Sequence, residues 1–156
     1  MNKKFGWKEQ FCKGKAKEKL FAEGYLINQE ELVESGVRDF DFYTKDSRQK
    51  VELKSDTYTS GNFFVEYYGV WEKEKLGSFW QSRDKGVDIF VYWFPNMGEV
   101  YTFRNLAETC DYLEQYIESM NLQPILIPNH GYHGLGYKIP KVALEHLYTK
   151  SAYKEG

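Results

Sequence analysis

Residues 50–56 read KVELKSD, and residues 37–43, just upstream, read VRDFDFY. In an extended chain, side chains two positions apart share a face. Glu52 and Lys54 would then lie together, with Val51 and Leu53 turned into apolar packing. The upstream stretch alternates in the same way, with Asp39 and Asp41 on one face and Phe40 and Phe42 on the other. Between the two lies TKDSRQK (44–50), polar and hairpin-like. Folding the chain there sets an Asp-bearing strand beside the Glu/Lys-bearing strand. Cross-strand neighbours on one face are about 4.5–5.5 Å apart at Cβ. Carboxylates at that separation repel unless a cation lies between them, and hard divalent cations favour carboxylate oxygen. A lysine beside such a pair can hold a nucleophilic water or stabilise charge developing on a phosphate. Glu-x-Lys by itself is a common surface pattern on solvated strands. Its significance here comes from the two aspartates and from the residues downstream of Asp56.

The length of 156 residues suits one domain with a single core, taken here as residues 1–156. The 13 Tyr, 11 Phe and 4 Trp read mainly as core and strand-face rings, leaving some to stack on nucleobases. A net charge of −2 argues against a generally basic nucleic-acid binder. The positive charge is nevertheless crowded at the N-terminus, in Lys3, Lys4, Lys8, Lys13, Lys15, Lys17 and Lys19 against Glu9 and Glu18. Such a stretch either contacts phosphates or forms a solvated helix face. Cys12 and Cys110 are too few and too far apart for a disulfide framework or a zinc site. Free thiols and a cytoplasmic setting are expected. No apolar run reaches the roughly 18–20 residues that span a bilayer, so no membrane partner is expected. The start, MNKKFGWKEQF, lacks an apolar h-region, so no secretory leader is expected.

Along the chain, residues from Trp7 to Glu23 predict a helix that Gly24 would end. EELVESG (30–36) suggests a short helical turn stopped by Gly36. The two strands described above come next, and GNFFVEYYGVW (61–71) predicts a third in a meander with them. EKEKLGSFWQSRDKG (72–86) predicts a polar loop and a helix. VDIFVYWFP (87–95) predicts a central strand buried on both faces and stopped by Pro95, and EVYTFR (99–104) its antiparallel partner. Leu106, Cys110, Leu113 and Ile117 mark an amphipathic helix with Asn105 as its N-cap. QPILIPN (123–129) predicts a short strand, HGYHGLGYKIP (130–140) a glycine-rich loop, and KVALEHLYTK (141–150) a closing helix. The sum is a mixed α/β layer fold, with a central sheet flanked by helices.

This order resembles the PD-(D/E)XK nuclease superfamily, the restriction endonuclease-like fold shared with Holliday-junction resolvases. The resemblance is carried by Asp41 (or Asp39) followed by Glu52-Leu53-Lys54. Its small phage-type members continue with a strand and helix pattern matched here by Gly61, Asn62, Glu66, Gly77, Ser82, Arg83 and Asp88, and with an ending matched by GLGYKIP (134–140). The resemblance covers residues 37–94 and the remainder loosely. It departs in two places: no proline precedes either aspartate, and SRDKGVD (82–88) carries an insertion-like stretch.

The resemblance implies a nuclease acting on DNA with Mg²⁺ or Mn²⁺. Asp41, Glu52 and the Leu53 carbonyl would ligate the metal, and Lys54 would orient or help deprotonate the attacking water. It also implies a homodimer if both strands are cut, and a phage or mobile-element origin with action in a host cytoplasm. Asp41 is preferred because it lies nearer the hairpin, with Asp39 in reserve. Glu66 would complete the acidic cluster or remain a solvated strand residue. Glu18 would add an acid from the first helix or serve only as surface charge. Asp56 would cap or orient, and Arg83 and Lys85 would touch phosphates or water. His130 and His133 have an H-x-x-H spacing but no supporting helix, so zinc is not expected. Neither a P-loop nor a nucleophile elbow occurs. Two other readings stand beside this one: a catalytically silent nuclease-fold module that binds nucleic acid or a protein partner, and an unrelated aromatic-rich interaction domain.

Overall fold

The computed structural model describes residues 18–57, 59–69, 77–129 and 132–153. The predicted N-terminal helix is seen as α1, residues 18–24; its expected start, most of the lysine cluster and Cys12 lie outside the described residues. Then come β1 (Leu32–Glu34), β2 (Phe42–Thr44), β3 (Lys50–Ser55), β4 (Asn62–Gly69), α2 (Ser78–Asp84), β5 (Ile89–Phe94), β6 (Glu99–Phe103) and α3 (Leu106–Ser119). The chain continues through β7 (Ile125–Asn129), β8 (Tyr132–Pro140), a 3-10 turn (Lys141–Leu144) and β9 (Tyr148–Ala152).

The fold is mixed α/β and contains two sheets. The first has six strands in the order β1-β2-β3-β5-β6-β9, and the second has three in the order β4-β8-β7. Within the first sheet β3 and β5 run parallel, with Glu52 opposite Phe90 and Lys54 opposite Tyr92. The remaining pairs are antiparallel. The expected central strand is β5, whose six residues are all buried. Ile89, Val91 and Trp93 enter one core with Phe21 of α1, Val51 and Leu53. Phe90, Tyr92 and Phe94 enter the other with Phe63, Val65, Trp80 and Leu113. The first sheet therefore has α1 on one face, and the second sheet with α2 and α3 on the other. The Asn105 side chain caps α3 by accepting the Glu108 N–H at 3.0 Å, as expected.

Four expectations are corrected. EELVESG forms β1 rather than a helical turn, because Leu32 joins the α1-side core and the segment pairs with β2. The GNFFVEYY strand does not continue a meander. β4 leaves the first sheet and pairs with β8, with Phe63 packed edge-on to Tyr101, Phe103 and Tyr148. The glycine-rich stretch is mostly strand β8, paired on both sides. Gly136 is needed there: a Cβ would lie 2.5 Å from the Val65 carbonyl oxygen and 2.6 Å from the Phe64 ring. The closing helix is instead one 3-10 turn followed by β9, which pairs along β6.

Candidate active site

The hairpin at 44–50 brings β2 against β3, with Phe42 opposite Val51. The pairing runs one residue past β2, since the Asp41 N–H donates to the Val51 carbonyl at 3.0 Å. Ser35, just after β1, secures the loop that delivers this aspartate. Its N–H donates to the Asp41 carbonyl at 3.0 Å and its hydroxyl donates to the Phe40 carbonyl. Asp41 Oδ2 then accepts the Leu53 N–H at 2.8 Å, which seats the carboxylate on β3 beside Glu52.

Asp39 does not share that place. The alternation read over 38–44 fails because β2 begins only at Phe42, and residues 37–39 form a bend. The Asp39 side chain is 67% exposed and lies 3.8 Å from Lys85 Nζ. Of the two aspartates, it is Asp41 that meets Glu52.

Glu52 and Lys54 share a face of β3 as expected, turned toward the second sheet, while Val51 and Leu53 are buried on the α1 side. Burial pushes the Glu52 carboxyl up to about 9; its hydrogen bond with Asp41 and the negative charges of Asp41 and Glu18 add to this, and Lys85 opposes it. A carboxyl in this setting holds its proton unless a cation takes the proton's place. Lys54 is half-buried. Burial lowers its proton affinity, while the charges of Glu66 and Asp56 act to raise it. Its Nζ donates to the Phe64 carbonyl at 3.3 Å and lies 5.3 Å from the Tyr92 ring centre and 5.5 Å from that of Phe64.

Glu66 acts on this lysine from β4, across the gap between the sheets, and not from a neighbouring strand of the same sheet. Arg83 and Asp88 serve other ends. Arg83 Nε pairs with Asp84 at 3.1 Å, and Asp88 Oδ2 accepts the Lys50 N–H at 2.8 Å at the start of β3. His130 and the His133 side chain lie outside the described residues.

The residues present fit a divalent cation of the Mg²⁺ type. Asp41 and Glu52 bring two carboxyls into contact, and Asp41 Oδ2 is already held by the Leu53 amide. The N–H and C=O of one strand residue project to the same side, so the Leu53 carbonyl points to the same edge of β3 as its amide. Among the described residues, no group of three or more His, Cys, Asp and Glu side chains gathers to hold an ion. Mg²⁺ usually keeps several waters and takes one or two carboxylates, which suits such a sparse donor set.

Two residues that hold this arrangement carry no motif signal, Ser35 and Tyr92; Asp56, expected to cap or orient, accepts the Tyr92 hydroxyl at 2.9 Å. Ser35 sits where a turn was expected, and Tyr92 lies within a run whose apolar character reads as core. Among the described residues, no helix is long and apolar enough to cross a membrane. No family model matches the chain, and neither curated proteins nor solved structures returned a match.

Proposed function

We propose that the protein is a metal-dependent nuclease of the restriction endonuclease-like class, hydrolysing phosphodiester bonds of DNA. The observation that carries this reading is the contact of the Glu52 and Asp41 carboxyls, with Lys54 two residues along the same face of β3. Asp41, Glu52 and the Leu53 carbonyl would hold Mg²⁺ or Mn²⁺. When bound, such an ion supplies Lewis-acid stabilisation of a phosphodiester oxygen and a more acidic water. Asp41, fixed by the Leu53 amide, presents its second oxygen at one position. Glu52 would give up the proton it shares with Asp41 when a cation binds, so that the hydrogen-bonded carboxyl pair would become a ligand set. Lys54 places positive charge or a hydrogen-bond donor beside the water that attacks in line, in a site where burial strengthens each polar contact. Glu66 and Asp56 keep charge balanced around that ammonium.

The test is direct. Purified protein is incubated with linear and branched DNA and with RNA, in Mg²⁺ or Mn²⁺, with EDTA as control. Metal-dependent cutting lost in both Glu52→Ala and Lys54→Ala is expected. Cutting that survives both substitutions would sink the site assignment. One observation favours a second reading, binding without cleavage: the Lys54 ammonium already donates to the Phe64 carbonyl. Retention of DNA in a shift assay with no cutting under any metal would select that reading.

A further inference from the structure

Resting on this assignment of the site, we propose that Tyr92 is its positioning residue, because its hydroxyl ties the second sheet and Asp56 together over the Lys54 amine. Tyr92 is fully buried and lies directly across the parallel β3–β5 pair from Lys54. Its hydroxyl is 2.9 Å from Asp56 Oδ2 and 3.3 Å from the Phe64 carbonyl oxygen. That carbonyl is also the acceptor for Lys54 Nζ, again at 3.3 Å. One carbonyl of β4 thus receives both the tyrosine and the lysine, and the lysine lies against the tyrosine's ring.

The ring itself is fixed from two sides. It stacks on Phe94 at 4.6 Å with planes 3° apart, and Phe63 of β4 leans on it at 5.2 Å. Core packing therefore sets where the hydroxyl sits, and the hydroxyl sets how far β4 and Asp56 stand from Lys54. The hydroxyl has one proton and two acceptors. Whichever acceptor it serves, it remains wedged between the Asp56 carboxylate and the β4 backbone. A phenyl ring in its place would keep the packing and the ring face toward Lys54 but take the hydroxyl away from both acceptors. Glu66 on β4 and Asp56 beyond β3, the two charges that act on the amine, would then no longer be held at a fixed distance from it by the hydroxyl. The polar contacts of Tyr92 run to Asp56 and the Phe64 carbonyl and its ring faces Lys54, so its effect passes through Lys54.

The experiment reads the amine itself. Lys54 is labelled with trinitrobenzenesulfonate in the wild type and in Tyr92→Phe, and the rate is followed by mass spectrometry of the Lys54 peptide. A severalfold change in the Lys54 rate, with other lysines unchanged, is expected. The same variant, assayed on DNA with Mg²⁺, should lose about ten- to a hundredfold in kcat with KM nearly constant, as small misplacements of catalytic groups do. Asp56→Ala removes one acceptor from outside the core and should alter labelling too, which keeps the question open to answer should Tyr92→Phe fail to fold. A Lys54 labelling rate unchanged in the folded variants overturns the proposal. If the wild type cuts nothing, the nuclease reading fails while the labelling result still decides the role of Tyr92.

Discussion

The carboxylate of Asp41 accepts the backbone N–H of Leu53 at 2.8 Å, across the gap between the start of β2 and the middle of β3. This bond distinguishes Asp41 from Asp39, which lies exposed against Lys85. Asp41→Asn keeps a side-chain oxygen for the amide but removes the charge. It is expected to fold like the wild type and to lose cleavage by about a hundredfold or more, since the group stabilising the reacting centre is removed. Asp39→Asn should change the rate by less than about threefold, within the range of an exposed, screened charge. Paired initial-rate measurements check this, and a larger loss in Asp39→Asn than in Asp41→Asn would reverse the assignment.

The raised Glu52 carboxyl makes the metal-free protein pH-sensitive in a definite direction. Its pKa moves from 4.5 in the unfolded chain to about 9 in the fold. Between those values the folded chain keeps a proton that the unfolded chain has released, so stability falls as pH rises. The contribution is complete below about pH 4.5 and is lost as pH approaches 9. Thermal melts in EDTA should therefore decline across about pH 5–9, and Glu52→Gln should flatten the decline. Adding Mn²⁺ at about pH 8 should release a proton and raise the melting temperature of the wild type, by about 5–10 °C at a hundredfold excess over Kd. Glu52→Gln should show little of that rise. Calorimetric melts with and without metal, in both proteins, decide it.

Lys54 is a case where stability and function should part. Its side chain is half-buried, and burial works against its charge. Lys54→Met keeps the length and packing of the stem while removing that charge, so the fold should be at least as stable as the wild type. Cleavage should fall by about a hundredfold or more, and DNA retention should change little. A variant that melts much earlier would mean that the ammonium is chiefly structural, held by the Phe64 carbonyl and the two rings.

How much of this was legible depends on what kind of signal each residue carries. The Glu52/Lys54 alternation, the doubly buried β5 and the Asn105 cap all rest on periodicity or local chemistry, and all stand where expected. β4 also reads as a strand, but nothing in the alternation of Phe63 and Val65 says which sheet it joins; partner choice comes from packing against Tyr101, Phe103 and Tyr148. Glycine misleads over 134–136 because it marks both loops and close backbone approach, and Gly136 serves the second use. Tyr148 reads equally as a helix residue, yet it belongs to β9 because it pairs with Phe103 on β6. At the site, strand alternation anticipated Glu52 beside Lys54 but placed Asp39 with Asp41, and the contacts of Tyr92 are visible only once β4 is known to cross above it.

Gly77 offers a test of that crossing. It precedes α2 and donates its N–H to the Tyr67 carbonyl, bringing the start of the helix onto β4 beside Glu66. A Cβ there would run into the Glu66 carbonyl group, which is backbone and cannot swing aside. Gly77→Ala must therefore either push α2 outward or shift β4, and overpacking of this kind costs about 1–3 kcal/mol or more. Because β4 also carries the Phe64 carbonyl that receives Lys54, the damage should not stop at stability. Denaturant melts should show the loss, and residual cleavage per folded molecule should drop as well. Gly61→Ala is the control, since a Cβ there meets nothing within 4 Å. It should leave both measurements close to wild type, and equal losses in the two variants would show that close approach at Gly77 is not what holds β4 over the site.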